Sequence, residues 1–136
     1  EVTAAEIDRL HILQAAVKAM QLAVESAQQA LGTGALTLLA DGNFTPPVAA
    51  AQKIAVVKGD QRSLLIALAS IIAKEYRDYL MQKWDAQYPQ YGWAQNAGYP
   101  TKAHRQALQQ FGPCPLHRKS FHGVREFCPP GGAAES

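Results

Sequence analysis

Cysteine is scarce in this chain. Cys114 and Cys128 are the only two among 136 residues, too few for a disulfide framework and suited to a reducing compartment. Long apolar runs are missing as well: no stretch approaches the roughly 18 uninterrupted apolar residues that a membrane span needs. The start of the chain also lacks the basic segment followed by an apolar one that marks a secretory leader. These absences predict a soluble, cytoplasmic protein with no membrane partner. Internal repeats are absent too. With 48% hydrophobic residues and 18% charged ones, the composition is that of one ordinary globular domain.

One sign of charge is missing from a long segment. No carboxylate occurs between Asp85 and Glu126, a stretch that holds Lys102, Arg105, Arg118, Lys119, Arg125, three histidines and the rings of Tyr88, Tyr91, Trp93, Tyr99, Phe111 and Phe121. The net charge of +2 conceals this asymmetry. A positive field with interleaved rings is the footprint of a phosphate-rich polymer partner. A solvated basic surface over a few core aromatics accounts for it equally well.

The order of elements is readable from periodicity. Thr3-Ala4-Ala5-Glu6 is a capping box, and Ile7, Leu10, Leu13, Val17, Met20, Val24, Ala27 and Leu31 then recur at helical spacing, predicting one helix up to Gly32. Leu36–Ala40, apolar but for Thr37, and the apolar Ile54–Val57 are short runs read as strands buried on both faces. From Gln61 to about Asp85 the pattern is helical, with Leu64, Leu65, Leu68, Ile71, Ile72, Tyr76, Tyr79, Leu80 and Trp84 expected inside. A loop, "YPQYGWAQNAGYP", precedes a third helix from about Thr101 to Phe111, stopped by Gly112-Pro113. Residues 127–136 are expected to form a disordered tail after a domain spanning residues 1–126. Two strands alone make a poor sheet in water, and strands apolar on both faces need neighbours on both sides. The chain is therefore expected either to pair with a second copy or partner, or to be the latter part of a longer domain.

Two acids stand out by position. Asp41 and Asp60 each follow a strand, with Gly42 after the first and Gly59 before the second. If the strands lie side by side in parallel, both carboxylates emerge at one sheet edge, where open α/β folds bind ligands. Paired carboxylates are hard-oxygen ligands suited to Mg²⁺ or Mn²⁺. Each acid also has an ordinary reading, since Asp-Gly is a turn signal and an Asp before a helical pattern is a cap.

Taken together, "LLADGN", "VVKGDQRS", "ASIIAKEYRD", "AGYPTKAH" and "GPCPLHRKSF" resemble the successive motifs of ribonuclease HII, the prokaryotic type 2 ribonuclease H. The resemblance runs from about Thr3 to Arg125. It implies an α/β domain of the ribonuclease H type, a mixed sheet flanked by helices, whose first strands are absent from this sequence. It implies endonucleolytic cleavage of the RNA strand in RNA/DNA hybrids, and at ribonucleotides embedded in duplex DNA, leaving a 3′-hydroxyl and a 5′-phosphate. In that family four carboxylates hold two divalent ions, and Asp41 and Asp60 match two of the four. Tyr99 matches a tyrosine that contacts the sugar at the step from ribonucleotide to deoxyribonucleotide. A phenol suits that task, having a flat face to stack and a hydroxyl to bond. A loop aromatic tucked into the core is the alternative.

Gln14 matches a helix position facing the nucleic-acid minor groove, whereas His11 stands where the family has an asparagine. Lys58, Lys74, Arg118 and Lys119 fit phosphate-contacting or structural roles. The complete enzyme is expected to act as a monomer. The other two family acids lie in an Asp-Glu-x-Gly-Arg-Gly motif, and no Asp-Glu pair occurs in this sequence. The 136-residue chain alone is therefore expected to cleave hybrids weakly or not at all.

Two competing readings remain. Cys114, His117, His122 and Cys128 are four residues of zinc-ligand type at spacings not far from those of a zinc knuckle, which would make a small nucleic-acid-binding module. A non-catalytic subunit completed by an acid-supplying partner is the other.

Overall fold

The computed structural model describes residues 1–32 and 36–129. The chain divides into two compact units. The first comprises Glu1–Val2 and Ile12–Lys74, and the second Thr3–His11 and Glu75–Ser136. The part of the expected tail from residue 130 to residue 136 lies outside the described residues.

The first unit is a helix, a parallel strand pair and the start of a second long helix. Helix α2 (Ile12–Leu31) is followed by strands β1 (Thr37–Asp41) and β2 (Gln52–Val56). The strands pair in parallel, from Thr37 opposite Gln52 to Asp41 opposite Val56. Parallel neighbours need a crossover connection. Here residues 42–51 supply it, and Gln21 and Gln28 of α2 donate side-chain hydrogen bonds to the carbonyls of Pro47 and Ala49 (3.2 and 2.6 Å). Pro46 and Val48 of that connection are buried, as is Ala15 of α2.

The strands differ from the expectation of burial on both faces. Only Ala40 among their residues is buried, and Ile54 of β2 is 40% exposed. The reason is geometric: a two-stranded pair offers each strand one neighbour, so the outer edges and much of both faces stay open.

After β2 the chain turns through Lys58 into a single helical turn, α3 (Gly59–Arg62). Ser63 adopts an extended conformation, and α4 (Leu64–Gln87) starts behind it with the Ala67 N–H donating to the Ser63 carbonyl at 3.0 Å. The continuous helix expected from Gln61 is thus interrupted at Ser63. Its apolar face also departs from expectation. Leu64, Leu65, Leu68, Ile71, Ile72, Tyr76 and Tyr79 are exposed, Leu80 and Trp84 are half-buried, and the one buried residue is Ile66. Helical periodicity locates an apolar face but carries no information on what covers it.

The second unit holds the buried hydrophobic cluster. It opens with α1 (Ala4–Leu10), whose Thr3 capping box is present as the sequence predicts. The helix ends at His11, with φ 64° and ψ 156°, a region of backbone space that only glycine enters easily. One continuous helix from Thr3 to Leu31 is therefore not what forms. The spacing of Ile7, Leu10 and Leu13 continues across His11 and so gives no sign of the break.

The segment expected as a loop after Gln87 contains a 3₁₀ turn (Pro89–Tyr91) and the short α5 (Trp93–Asn96). Helix α6 (Lys102–Phe111) follows, N-capped by Thr101 and closed by Gly112 at φ 70°. Its Ala107 and Leu108 join Tyr91, Trp93, Cys114 and Val124 in the buried core, with Met81, Trp84, Tyr88, Leu116 and Phe127 packed against it. Phe127, assigned by sequence to the tail, ends a final 3₁₀ turn (Arg125–Phe127) and packs on this core. Tyr91 and Trp93, for which the sequence left a nucleic-acid footprint and core aromatics equally open, are core residues at 3% and 4% exposure.

Candidate functional site

In the first unit Asp41 ends β1, and Asp60 lies in the helical turn that follows β2. Asp41 closes β1 opposite Val56, and the Gly42 N–H donates to the Val56 carbonyl at 3.0 Å. Lys58, in the left-handed region at φ 55°, turns the chain so that the Gly59 N–H donates to Asp41 Oδ1 at 2.7 Å. A charged acceptor strengthens such a bond. Asp60 is the next residue, so the Asp41 carboxylate is tied to the peptide immediately before the second acid. Both acids are exposed.

Gly59 itself is buried, and a methyl group there would stand 2.6 Å from Ile66 Cδ1 and 3.2 Å from Asp41 Oδ1. The glycine allows the strand end, the turn and the one buried residue of α4 to meet. Capping does not explain Asp60: Lys58 holds the N-cap position of α3, and Asp60 lies inside its first turn.

Exposed carboxylate oxygens have the donor chemistry of a Mg²⁺ or Mn²⁺ site. Their number is small, and among the described residues no group of three or more His, Cys, Asp or Glu side chains is arranged to hold a metal ion. Lys58 sits beside the acids in sequence and is exposed, while Gln14 and Lys74 are exposed on α2 and α4.

The other candidates belong to the second unit. Tyr99 is 68% exposed, unlike the core aromatic that was its alternative. Its backbone is held on both sides: the Tyr99 N–H donates to the Asn96 carbonyl, and the Thr101 N–H to the Tyr99 carbonyl, both at 2.8 Å. Arg118 is half-buried with its guanidinium carbon 5.4 Å from the centre of the Phe121 ring. Lys119 is exposed, and its N–H donates to Asp8 Oδ2 at 2.7 Å while Ser120 engages Asp8 Oδ1 through its N–H and hydroxyl. Asp8 of α1 thus fixes the backbone that carries Lys119.

The zinc-knuckle set does not assemble. His122 is an exposed partner of Glu126 at 2.9 Å, and the Cys128 thiol donates to the Val124 carbonyl at 3.7 Å. His117 is buried, with Nε2 3.3 Å from His104 Nε2. Burial, with the neighbouring His104 ring adding to it, holds His117 down at about 4. Burial also pushes the Cys114 thiol and the Tyr91 phenol up.

Comparison with known proteins gives these positions a setting. The family model described as ribonuclease HII matches residues 1–124. The ribonuclease HII of Desulfotalea psychrophila is 48% identical over 121 residues, 89% of this chain and 53% of that protein. That of Chlamydia muridarum is 50% identical over 125 residues, covering 92% of this chain and 55% of the relative. That of Synechococcus sp. is 50% identical over 124 residues, covering 91% and 53%. The chain spans about half the length of the curated relatives it matches. Its α/β architecture, with a small parallel sheet and helices, is consistent with a ribonuclease H-like fold. By this match over most of its length, the chain belongs to the ribonuclease HII family.

Proposed function

We propose that this chain carries half of the carboxylate edge of a ribonuclease H that cuts the RNA strand of RNA/DNA hybrids and at ribonucleotides embedded in duplex DNA. The observation that carries the reading is the Asp41–Gly59 hydrogen bond at the ends of two parallel strands, which puts Asp60 one residue from the partner of Asp41. Asp41 and Asp60 would hold the divalent ions, Mg²⁺ or Mn²⁺. When bound, such ions supply activation of a water and stabilisation of the departing oxygen, which leaves 3′-hydroxyl and 5′-phosphate ends.

The chain's own contributions follow from its geometry. The Gly59 N–H occupies one lone pair of Asp41 and aims its other oxygen. Tyr99 presents an exposed phenol on a backbone already bonded, suited to stacking on a sugar and reading a 2′-hydroxyl. Lys58, Lys74 and Lys119 are exposed cations for phosphates, Gln14 offers an amide to a groove, and Arg118 contributes charge while packing on Phe121. Two carboxylates neutralise two divalent ions poorly, so the chain by itself is expected to cut slowly. The basic, carboxylate-free segment favours a nucleic-acid partner, and no helix among the described residues is long and apolar enough to cross a membrane.

Joining the remaining half of a ribonuclease HII relative to this chain tests the reading. The joined protein should cut a labelled RNA/DNA hybrid in Mn²⁺, and Asp41→Asn or Asp60→Asn should each lower the rate by at least about 100-fold, in the range of a lost charge-stabilising group. Cutting that survives both substitutions would refute the assignment.

A further inference from the structure

Tyr91 offers one carbonyl to two donors. Asn96 Nδ2 donates to it at 2.7 Å, and His104 Nδ1 lies 3.2 Å away. Asn96 Nδ2 also lies 3.5 Å from His104 Nδ1, but its shorter bond is to the carbonyl, which can only accept; the geometry therefore favours the His104 proton on Nδ1, which leaves Nε2 as an acceptor in the neutral ring. The opposite end of the cluster is fixed independently. The Cys114 N–H donates to His117 Nδ1 at 3.1 Å, so that neutral ring carries its proton on Nε2. The two Nε2 atoms are 3.3 Å apart, one bearing a proton and the other a lone pair. Two assignments made from separate backbone groups agree where they meet.

The relay continues toward the surface. Asn96 Oδ1 accepts from the Gly98 N–H at 2.8 Å, and the Asn96 carbonyl accepts from the Tyr99 N–H at 2.8 Å. The side chain of Asn96 thus links the carbonyl that His104 grips to the N–H of Gly98, the residue before Tyr99. Gly98, at φ 79°, makes the turn. The phenol of Tyr99 projects from the end of a bonded path that begins inside the core.

We propose that His104, His117 and Asn96 are positioning residues for Tyr99: two neutral imidazoles of opposite tautomer lock the Tyr91 carbonyl, and Asn96 transmits that lock to the Gly98-Tyr99 turn. The consequence for hybrid recognition rests on the reading of Tyr99 given above, whereas the lock itself does not. A second proton on either ring would set N–H against N–H, at the Cys114 amide or between the two Nε2 atoms. The titratable groups facing the pair are Cys114, with Sγ 3.3 Å from His117 Nδ1, and Tyr91, whose ring centroid is 4.6 Å from that of His117. Both are shifted upward, so neither supplies a negative charge near neutrality to favour an imidazolium.

Long-range ¹H–¹⁵N correlation on the histidine-labelled chain at pH 7 reads the tautomers directly. The expected result is Nε2–H for His117 and Nδ1–H for His104. The reverse pattern, or a mixture in either ring, overturns the proposal. His117→Ala should let His104 lose its tautomer preference and speed amide exchange at Gly98 and Tyr99 at least about tenfold relative to Leu108. His117→Gln, which keeps a donor near the Nε2 position, should restore slow exchange at both. Unchanged exchange at Gly98 and Tyr99 in the alanine variant overturns the proposal. Should the alanine variant unfold, the wild-type tautomers and the glutamine variant decide it. None of these readouts involves nucleic acid, so hybrid binding indifferent to Tyr99→Ala would refute the functional reading and leave the lock standing.

Discussion

The two units of this molecule hold their candidate residues by different means. In the second, Tyr99 and Lys119 stand outside a core in which Leu108 is 1% exposed and Tyr91 stacks on Trp93 with ring centroids 5.2 Å apart. Polar groups inside that core bond to one another in a directed series. In the first, the acids stand at the open end of a two-stranded pair, beside a helix whose Leu64 and Leu65 are 75% and 68% exposed. What orients Asp41 there is the Gly59 N–H and the absence of a side chain at Gly59. One unit therefore positions chemistry by packing and the other by backbone hydrogen bonding around a glycine.

The difference is sharpest in truncation experiments. Leu108→Ala should cost about 2–5 kcal/mol, the range for a fully buried leucine, whereas Leu65→Ala should stay within about 0.5 kcal/mol. Denaturant unfolding of both variants checks this. A large loss at Leu65 would mean that its face is covered in solution, and the comparison would fail.

Acid should weaken the second unit before the strand pair. The folded state holds His117 at about 4, below the ordinary 6.5 of the unfolded chain. Between those values the unfolded chain binds the proton and the folded one does not, so stability falls as pH falls from 6.5 toward 4. It is flat above that window as far as this group is concerned. At about 1.4 kcal/mol per pH unit the loss approaches roughly 3 kcal/mol. Amide exchange at Leu108 compared with Ile54 across that range measures it, and parallel behaviour of the two would erase the distinction.

Gly59→Ala is the corresponding attack on the first unit. The added methyl meets Ile66 and Asp41 Oδ1, and Ile66 is β-branched and stiff in a helix. A loss of about 1–3 kcal/mol is expected, as for other overpacked sites, together with a shift of the Asp41 carboxyl resonance. A neutral outcome would show that the strand end does not depend on this close approach. The smallest effect is at the α6 cap, where the His104 N–H donates to Thr101 Oγ1 at 3.2 Å. Thr101→Ala should cost about 1 kcal/mol, measured by the midpoint of thermal unfolding.

These contrasts mark what the sequence could reveal. The Thr3 capping box, the two strands and the α6 helix were legible, because each follows from local spacing or a turn signal. The breaks at His11 and Ser63 were not, since neither position carries the glycine or proline that usually announces one. The exposure of Leu64 and its neighbours was invisible for a different reason: periodicity reports a face and not its cover. The sequence left two readings open for Tyr91, Trp93, His104 and His117, because composition does not distinguish rings that stack on each other from rings that await a base. The tautomer series needs three-dimensional donor and acceptor directions, which no spacing encodes.

The most direct test of the shared acid edge is paramagnetic broadening by Mn²⁺ in the ¹⁵N-labelled chain. The expected result is simultaneous loss of the Gly42, Gly59 and Asp60 amide signals at low Mn²⁺, abolished at all three by Asp41→Asn. Broadening confined to one strand end, or unchanged by that substitution, would contradict a common site at Asp41 and Asp60.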